Sequence, residues 1–264
     1  MADGRLTDGD VLFRGVTTFL APDGRPYAPQ SLDPEGLALT RDRDLILTSE
    51  GIPAGGIDPF VRRYALDGRF LADLPLPQDF RVGPNHGVRP NLGFEAANLT
   101  RSGRFFFTAT ENALFQDGPL ATVANGSPAR ILRYDLRRSR LDRQWVYQTD
   151  PVAESPVPDT AFSVNGIDEV LPLNDKFLIV MERSFSVGAP DTGNTIKLFL
   201  AKLGRTTARK TLLLNLDALG IPLDNVEGMT YGPRLRDGRR SLVLVSDNNF
   251  AATQFTQFLL FAVK

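Results

Sequence analysis

Four stretches of the chain repeat one order of polar and apolar positions: an acid, a small residue or close substitute, an apolar run, a polar turn, a second apolar run and another acid. The first reads Glu35-Gly36-Leu37-Ala38-Leu39, turns over residues 41–44, and continues Leu45-Ile46-Leu47-Thr48-Ser49-Glu50. The second reads Glu95-Ala96-Ala97-Asn98-Leu99, turns at Arg101-Ser102-Gly103, and continues Phe105-Phe106-Phe107-Thr108-Ala109-Thr110-Glu111. The third is less regular, with Asp168-Glu169-Val170-Leu171, a turn at Asn174-Asp175, and Phe177-Leu178-Ile179-Val180-Met181-Glu182. The fourth reads Glu227-Gly228-Met229-Thr230-Tyr231, turns through Asp237-Gly238, and ends Leu242-Val243-Leu244-Val245-Ser246-Asp247. The opening acids recur at steps of 60, 73 and 59 residues, a spacing that points to a repeat architecture.

Further strand-like runs lie between these hairpins, also in pairs: 61–66 with 69–74, 131–136 with 144–147, and 195–203 with 210–214. Asp-Gly and Asn-Asp pairs between alternating runs are hairpin turns, because those residues tolerate positive φ. Each repeat therefore supplies about four short antiparallel strands, the content of one β-propeller blade. The predicted fold is all-β, a propeller of four-stranded antiparallel blades with four repeats visible. The fourth repeat shows only three strands, the last over 255–263, and one unpaired apolar run stands upstream at 11–20. A strand from that run is expected to complete the last blade and close the ring; the alternative is a ring that lacks a blade and is open or closed by a partner. One helical turn is expected near 214–219.

Composition narrows the chemistry. With 30 Lys and Arg against 31 Asp and Glu, the chain lacks the basic excess of a nucleic-acid binder. It has no cysteine and a single histidine, His86, which excludes thiolate metal sites, thiol nucleophiles and multi-histidine centres. No Gly-x-Ser-x-Gly elbow and no phosphate-binding Gly-rich loop ending in Gly-Lys-Ser/Thr occurs, so neither a serine-esterase nor a nucleotide-hydrolase reading is supported. The start lacks the basic and apolar regions of a signal peptide, and no apolar run reaches the length of a membrane span. A single domain over residues 1–264 is expected, without membrane insertion and without a nucleic-acid partner.

Oxygen-ligand chemistry remains. The start of a blade's inner strand and the end of the next strand lie at the same end of one hairpin. Glu35 with Glu50, Glu95 with Glu111, Asp168 with Glu182, and Glu227 with Asp247 should thus converge on one mouth of the channel. Carboxylates at that density resist joint ionisation unless a cation sits among them. Calcium, which takes 6–8 oxygen ligands in irregular geometry, suits such a set; Asn165, Asn225, Asn248 and Asn249 could add amide oxygens. Each acid taken alone reads better as a strand-end cap bonded to backbone amides; only the repeated set favours the metal.

Six segments in order carry a family resemblance: Pro34-Glu35-Gly36-Leu37-Ala38, Asn91-Leu92-Gly93-Phe94-Glu95-Ala96-Ala97, Glu111-Asn112-Ala113-Leu114, Met181-Glu182-Arg183, Asn225-Val226-Glu227-Gly228-Met229 and Ser246-Asp247-Asn248-Asn249-Phe250. From about residue 31 onward the chain resembles the phytase-like, or "esterase-like activity of phytase", family. The resemblance implies a β-propeller and hydrolysis of phosphate or other esters. Ala96 stands where the family pattern has glycine, and Asp168-Glu169 leaves the third acid's register open by one residue.

The expected activity is calcium-dependent hydrolysis of a small anionic or ester substrate, a phosphomonoester or related ester, with Glu35, Glu95, Glu182 and Glu227 as the catalytic carboxylates. Arg183 and Arg89 are the expected clamps for phosphate oxygens, ahead of Lys197 and Arg62. His86 is a weaker substrate contact, since an imidazole can both donate and accept a proton; as a residue of a Pro/Gly-rich loop it reads better as a solvated histidine. A non-catalytic propeller with structural calcium and a lactonase-type calcium propeller are the competing readings.

Overall fold

The computed structural model describes residues 12 and 14–263. Its strands fall into four antiparallel meanders. The first holds β1 (Pro34–Leu39), β2 (Asp44–Ser49), β3 (Phe60–Ala65) and β4 (Phe70–Leu74), in that order across the sheet. The second holds β5 (Asn98–Leu99), β6 (Phe105–Ala109), β7 (Pro128–Asp135) and β8 (Arg140–Gln148). The third holds β9 (Ser163–Pro172), β10 (Phe177–Ser186), β11 (Asn194–Leu203) and β12 (Thr207–Asn215). The fourth has three strands, β13 (Val226–Arg234), β14 (Arg240–Ser246) and β15 (Phe258–Val263). The expected helical turn is a short 3-10 segment, Leu216–Leu219.

Strand alternation gives each meander two apolar faces, and three shared cores stack the meanders side by side. Ile46 and Val61 of the first face Phe106, Leu132 and Tyr134 of the second. Phe107, Ile131 and Trp145 of the second face Ile167, Val180 and Ala201 of the third. Ile179, Met181 and Leu198 of the third face Met229, Leu242 and Leu244 of the fourth. The inner strands β1, β5, β9 and β13 together line a cavity of about 480 Å³ on the axis, the channel of a propeller. One seam departs from simple stacking. The outermost strands β8 and β12 pair in parallel at Val146–Thr207 and Tyr147–Ala208, which splices the second and third meanders into one eight-stranded sheet.

Ring closure differs from expectation. None of the four buried apolar clusters among the described residues joins the fourth meander to the first. The first meander's free face instead packs Leu47, Phe60 and Tyr64 under Phe19, Tyr27 and Leu32. Phe19 meets the Tyr64 ring edge-on at 4.9 Å, and the Leu20 amide donates to the Gly68 carbonyl at 2.9 Å. The described part of the upstream apolar run thus ends on the first blade; no described residue of it extends β15. Residues 11 and 13 of that run lie outside the described residues. The side between β15 and β1 carries exposed Leu37, Leu39 and Phe258.

Candidate active site at the channel mouth

Each hairpin brings its opening and closing acids to the same end, because an antiparallel pair returns to its starting level. Glu35 lies on β1, and Glu50 follows β2. Glu95 precedes β5, and Glu111 follows β6 by two residues. Two groups of carboxylates result: Asp33, Glu35 and Glu50 form one, and Glu50, Glu95 and Glu111 the other, with ligand oxygens within 4.8 Å of one another in each. Glu50 belongs to both. Its carboxylate accepts from the Gly93 amide at 2.6 Å and lies against the Glu95 carboxyl, with oxygens within 4.8 Å.

Close approach fixes this packing. A Cβ on Gly93 would stand 2.9 Å from Glu50 Cα, and one on Gly166 would stand 2.2 Å from Glu111 Cγ. Both glycines are there for space, not for turn conformation.

Burial first, then repulsion from Glu50 and Glu111, pushes the Glu95 carboxyl well above the ordinary range. Burial does the same to Glu111, with Asp168 adding to it. Glu35 opens to solvent on one side. Partial loss of hydration, with Glu50, Asp33 and Glu227 repelling its charge, still raises it to about 8. Among the described residues no Lys or Arg lies within salt-bridge distance of Asp33, Glu35, Glu50, Glu95 or Glu111. The donor set, oxygen only and short of a counter-charge, fits a hard divalent cation such as calcium.

The third repeat behaves differently. A register shift opposite Met181 and Glu182 leaves Asp168 as an extra residue on β9, a bulge that turns its side chain toward Arg183. Arg183 donates from Nε to Asp168 Oδ1 at 2.8 Å, and its backbone amide donates to Asp168 Oδ2 at 3.0 Å. Its Nη2 lies 3.6 Å from Glu227 Oε1. Burial opposes the charge on Arg183, yet Asp168, Glu111, Glu227 and Glu95 offset this and hold the guanidinium above its usual range. Arg183 thus supplies the positive charge that Asp168 and Glu227 need.

Successive strand residues point to opposite faces, so Glu182 and Arg183 cannot both face the mouth. Arg183 faces it and Glu182 does not. The Glu182 carboxylate accepts from Tyr147 Oη at 2.6 Å, the Asp150 amide at 2.8 Å and Asn165 Nδ2 at 3.0 Å, and pairs with Lys210. It is 1% exposed, inside the contact between the second and third meanders. Its expected place beside the other acids is corrected accordingly. Asp247 is exposed and near Glu227, whose carboxyl burial and Asp247 together raise against the pull of Arg183.

Two expected substrate contacts also lie elsewhere. Arg89 spends its guanidinium on the carbonyls of Ala113 at 3.0 Å and Gly118 at 2.8 Å, over the Phe115 ring. His86 Nδ1 meets the Arg81 carbonyl at 3.2 Å within its own turn. Lys197 pairs with Asp150, and Arg62 with Asp73. Asp33 was not among the expected acids. Standing two residues before Glu35 and outside the repeat grammar, it reads in sequence as a turn residue before proline.

Beside the mouth a cleft of about 650 Å³ is lined by Asn91, Arg183, Glu227 and loop residues of the third and fourth meanders. An all-β propeller whose axial mouth gathers carboxylates beside a polar cleft defines the class of protein. The chain belongs to the Phytase-like family, described as "Esterase-like activity of phytase", whose model matches residues 2–250. The match begins upstream of residue 31, where the motifs had placed it. Comparison with curated proteins finds no match to the sequence.

Solved structures similar to the chain include a Bacteroides caccae protein of unknown function, at 11% identity and a TM-score of 0.41, covering 90% of this chain and 80% of that one. Penicillium chrysogenum alpha-L-arabinanase complexed with arabinobiose is similar at 14% identity and 0.44, covering 92% and 65%. Pseudomonas aeruginosa periplasmic gluconolactonase is similar at 12% identity and 0.39, covering 93% and 78%. Among the described residues no helix is long and apolar enough to cross a membrane.

Proposed function

We propose that the protein is a calcium-dependent hydrolase of phosphomonoesters or related esters, with Glu50, Glu95 and Glu111 holding the ion. One observation carries this reading: two overlapping carboxylate groups share Glu50, and no described Lys or Arg lies within salt-bridge distance of either group. Bound calcium would offset their repulsion and polarise an ester oxygen.

The chain's own residues then have separable tasks. Arg183, the one cation among the residues lining the cleft, receives an anionic ester oxygen. Glu35, at the open side of the mouth beside Glu50 and outside the three carboxylates assigned to the ion, is placed to serve as the general acid. In the reaction a water oxygen bonds to phosphorus or the acyl carbon, and the ester bond to the alcohol oxygen breaks. Glu35 gives its proton to the departing alkoxide and is reprotonated from the attacking water. Glu182 has no part in this step; with Lys210 it holds the second and third meanders together.

The test is stripping with a chelator followed by calcium titration, scored on an aryl phosphate, an aryl carboxylic ester and a lactone. Calcium-restored release of phosphate or of the aryl alcohol supports the proposal. Calcium-raised thermal stability without turnover of any of the three replaces it with a structural ion in a binding protein, and turnover of the lactone alone replaces it with a lactonase.

A further inference from the structure

The charge and wall chemistry of the cleft bear on which organic group it takes. Its volume, about 650 Å³, is that of a small-molecule site. Arg183 is its one cation, against the carboxylates of Asp191, Asp224 and Glu227 in the same lining, and that guanidinium is already shared between Asp168 and Glu227. One divalent ion among the mouth acids would still leave the surroundings short of positive charge. A polyphosphorylated ligand, which requires several cations, is therefore repelled.

The remaining wall is amide and hydroxyl: Asn194, Asn225, Asn249, Thr192, Thr253 and Gln254. Asn194 has one end of its amide buried without a partner, while the other end makes only long contacts to Thr192 at 3.3 and 3.5 Å. Whichever way the amide is turned, one end remains to be satisfied, and a ligand hydroxyl can do so.

One aromatic ring belongs to the lining, and a second, outside it, is next in the chain to the lining residue Asn249. Phe185 lines the cleft beside Arg183. Phe250 follows Asn249 in the β14–β15 loop and is fully exposed. Asn249 and Phe250 have φ of 48° and 52°, a conformation disfavoured for residues other than glycine. The loop enforces it: Asp247 Oδ1 accepts from the Asn249 amide at 3.2 Å, Asn248 Oδ1 accepts from the Phe250 amide at 3.2 Å, and the Ala251 amide donates to the Asn248 carbonyl at 2.7 Å. Backbone strain of this kind clusters at functional sites, and here it holds an apolar ring out in water next to the cleft.

We infer that the cleft binds a polyhydroxylated ring, a sugar or cyclitol carrying at most one phosphate, and that Phe250 is a specificity-determining residue stacking on the ring's C–H face. The amides of the wall receive its hydroxyls. Hydrolysis of the bound molecule rests on the proposed function; recognition of the ring does not.

The experiment separates the two. Saturation-transfer NMR on the full chain with calcium uses methyl β-D-glucopyranoside, which holds no ester. Turnover is measured in parallel on glucose 6-phosphate and inositol hexakisphosphate. The expected result is transfer to the glucoside ring and a kcat/KM higher by roughly tenfold for the monophosphate. Phe250→Ala should weaken glucoside binding about three- to tenfold; because the side chain packs against nothing, an unchanged melting temperature certifies the variant. Transfer to the glucoside without turnover of either phosphate overturns the hydrolase reading and supports the inference. Absence of transfer, preference for the hexakisphosphate, or a Phe250→Ala variant that binds the glucoside as well as wild type overturns the inference.

Discussion

Replacing Glu169 by glutamine measures how dry the channel wall is. Glu169 stands on β9, 9% exposed, with Oε1 accepting from the Ala97 amide at 3.1 Å and the Val170 amide at 2.9 Å. Burial outweighs these bonds and raises the carboxyl from 4.5 to about 8. The unfolded chain keeps the ordinary value, so across that window the folded protein holds a proton that the unfolded one has released. Stability contributed by the protonated group is complete below 4.5 and is lost as pH rises through about 8. Neutral pH 7 lies 2.5 units above 4.5, and at about 1.36 kcal/mol per unit the loss there is roughly 3 kcal/mol. Glutamine keeps an acceptor and cannot ionise. Glu169→Gln should therefore be more stable than wild type by roughly 3 kcal/mol at pH 7 and unchanged at pH 4. Urea unfolding of both proteins at several pH values gives the difference, in which every other titrating group cancels. A difference that does not vary with pH, or a variant destabilised at pH 7, would refute the reasoning and place an ionised carboxylate in a wet channel.

Other consequences are open to measurement. Glu50→Gln removes the carboxylate common to both acid groups and should abolish any calcium-induced rise in melting temperature; a rise equal to wild type would move the ion elsewhere. Gly166→Ala drives a methyl group into Glu111 and should cost about 1–3 kcal/mol in chemical denaturation, with the calcium response weakened alongside. Lys210→Ala leaves Glu182 buried without its cation and should cost about 3–5 kcal/mol, yet leave calcium binding by calorimetry intact, since the pair lies outside the mouth.

Much of the fold was legible because hairpin chemistry is local. Asp67-Gly68 and Asn174-Asp175 turn where alternating runs end, and the repeat of acid, small residue and strand located the four inner hairpins. Pairing acids by strand level also brought Glu35, Glu50, Glu95 and Glu111 together, since an antiparallel return needs no tertiary knowledge. The failures arise where a one-residue shift decides the face. The bulge at Asp168 has no turn signature, so Glu182 looked equivalent to Glu50 and Glu111, although alternation already forbids Glu182 and Arg183 from sharing a side. Arg89 and Lys210 illustrate a second limit: long cations choose partners distant in sequence, carbonyls at 113 and 118 in one case and a glutamate at 182 in the other. The parallel contact of β8 with β12 is invisible for the same reason.

That parallel contact shapes how the molecule can move. Joined by backbone bonds, by a full core and by Trp145 Nε1 donating to the Gly204 carbonyl at 2.9 Å, the two middle meanders act as a stiff spine. The first and fourth are wings, each fastened to the spine by one apolar interface. The Glu50–Gly93 bond crosses one of these joints and the Arg183–Glu227 pair crosses the other. An occupant of the mouth would meet carboxylates from both wings, Glu35 and Glu50 on one and Glu227 on the other, and would tie the two to the spine together.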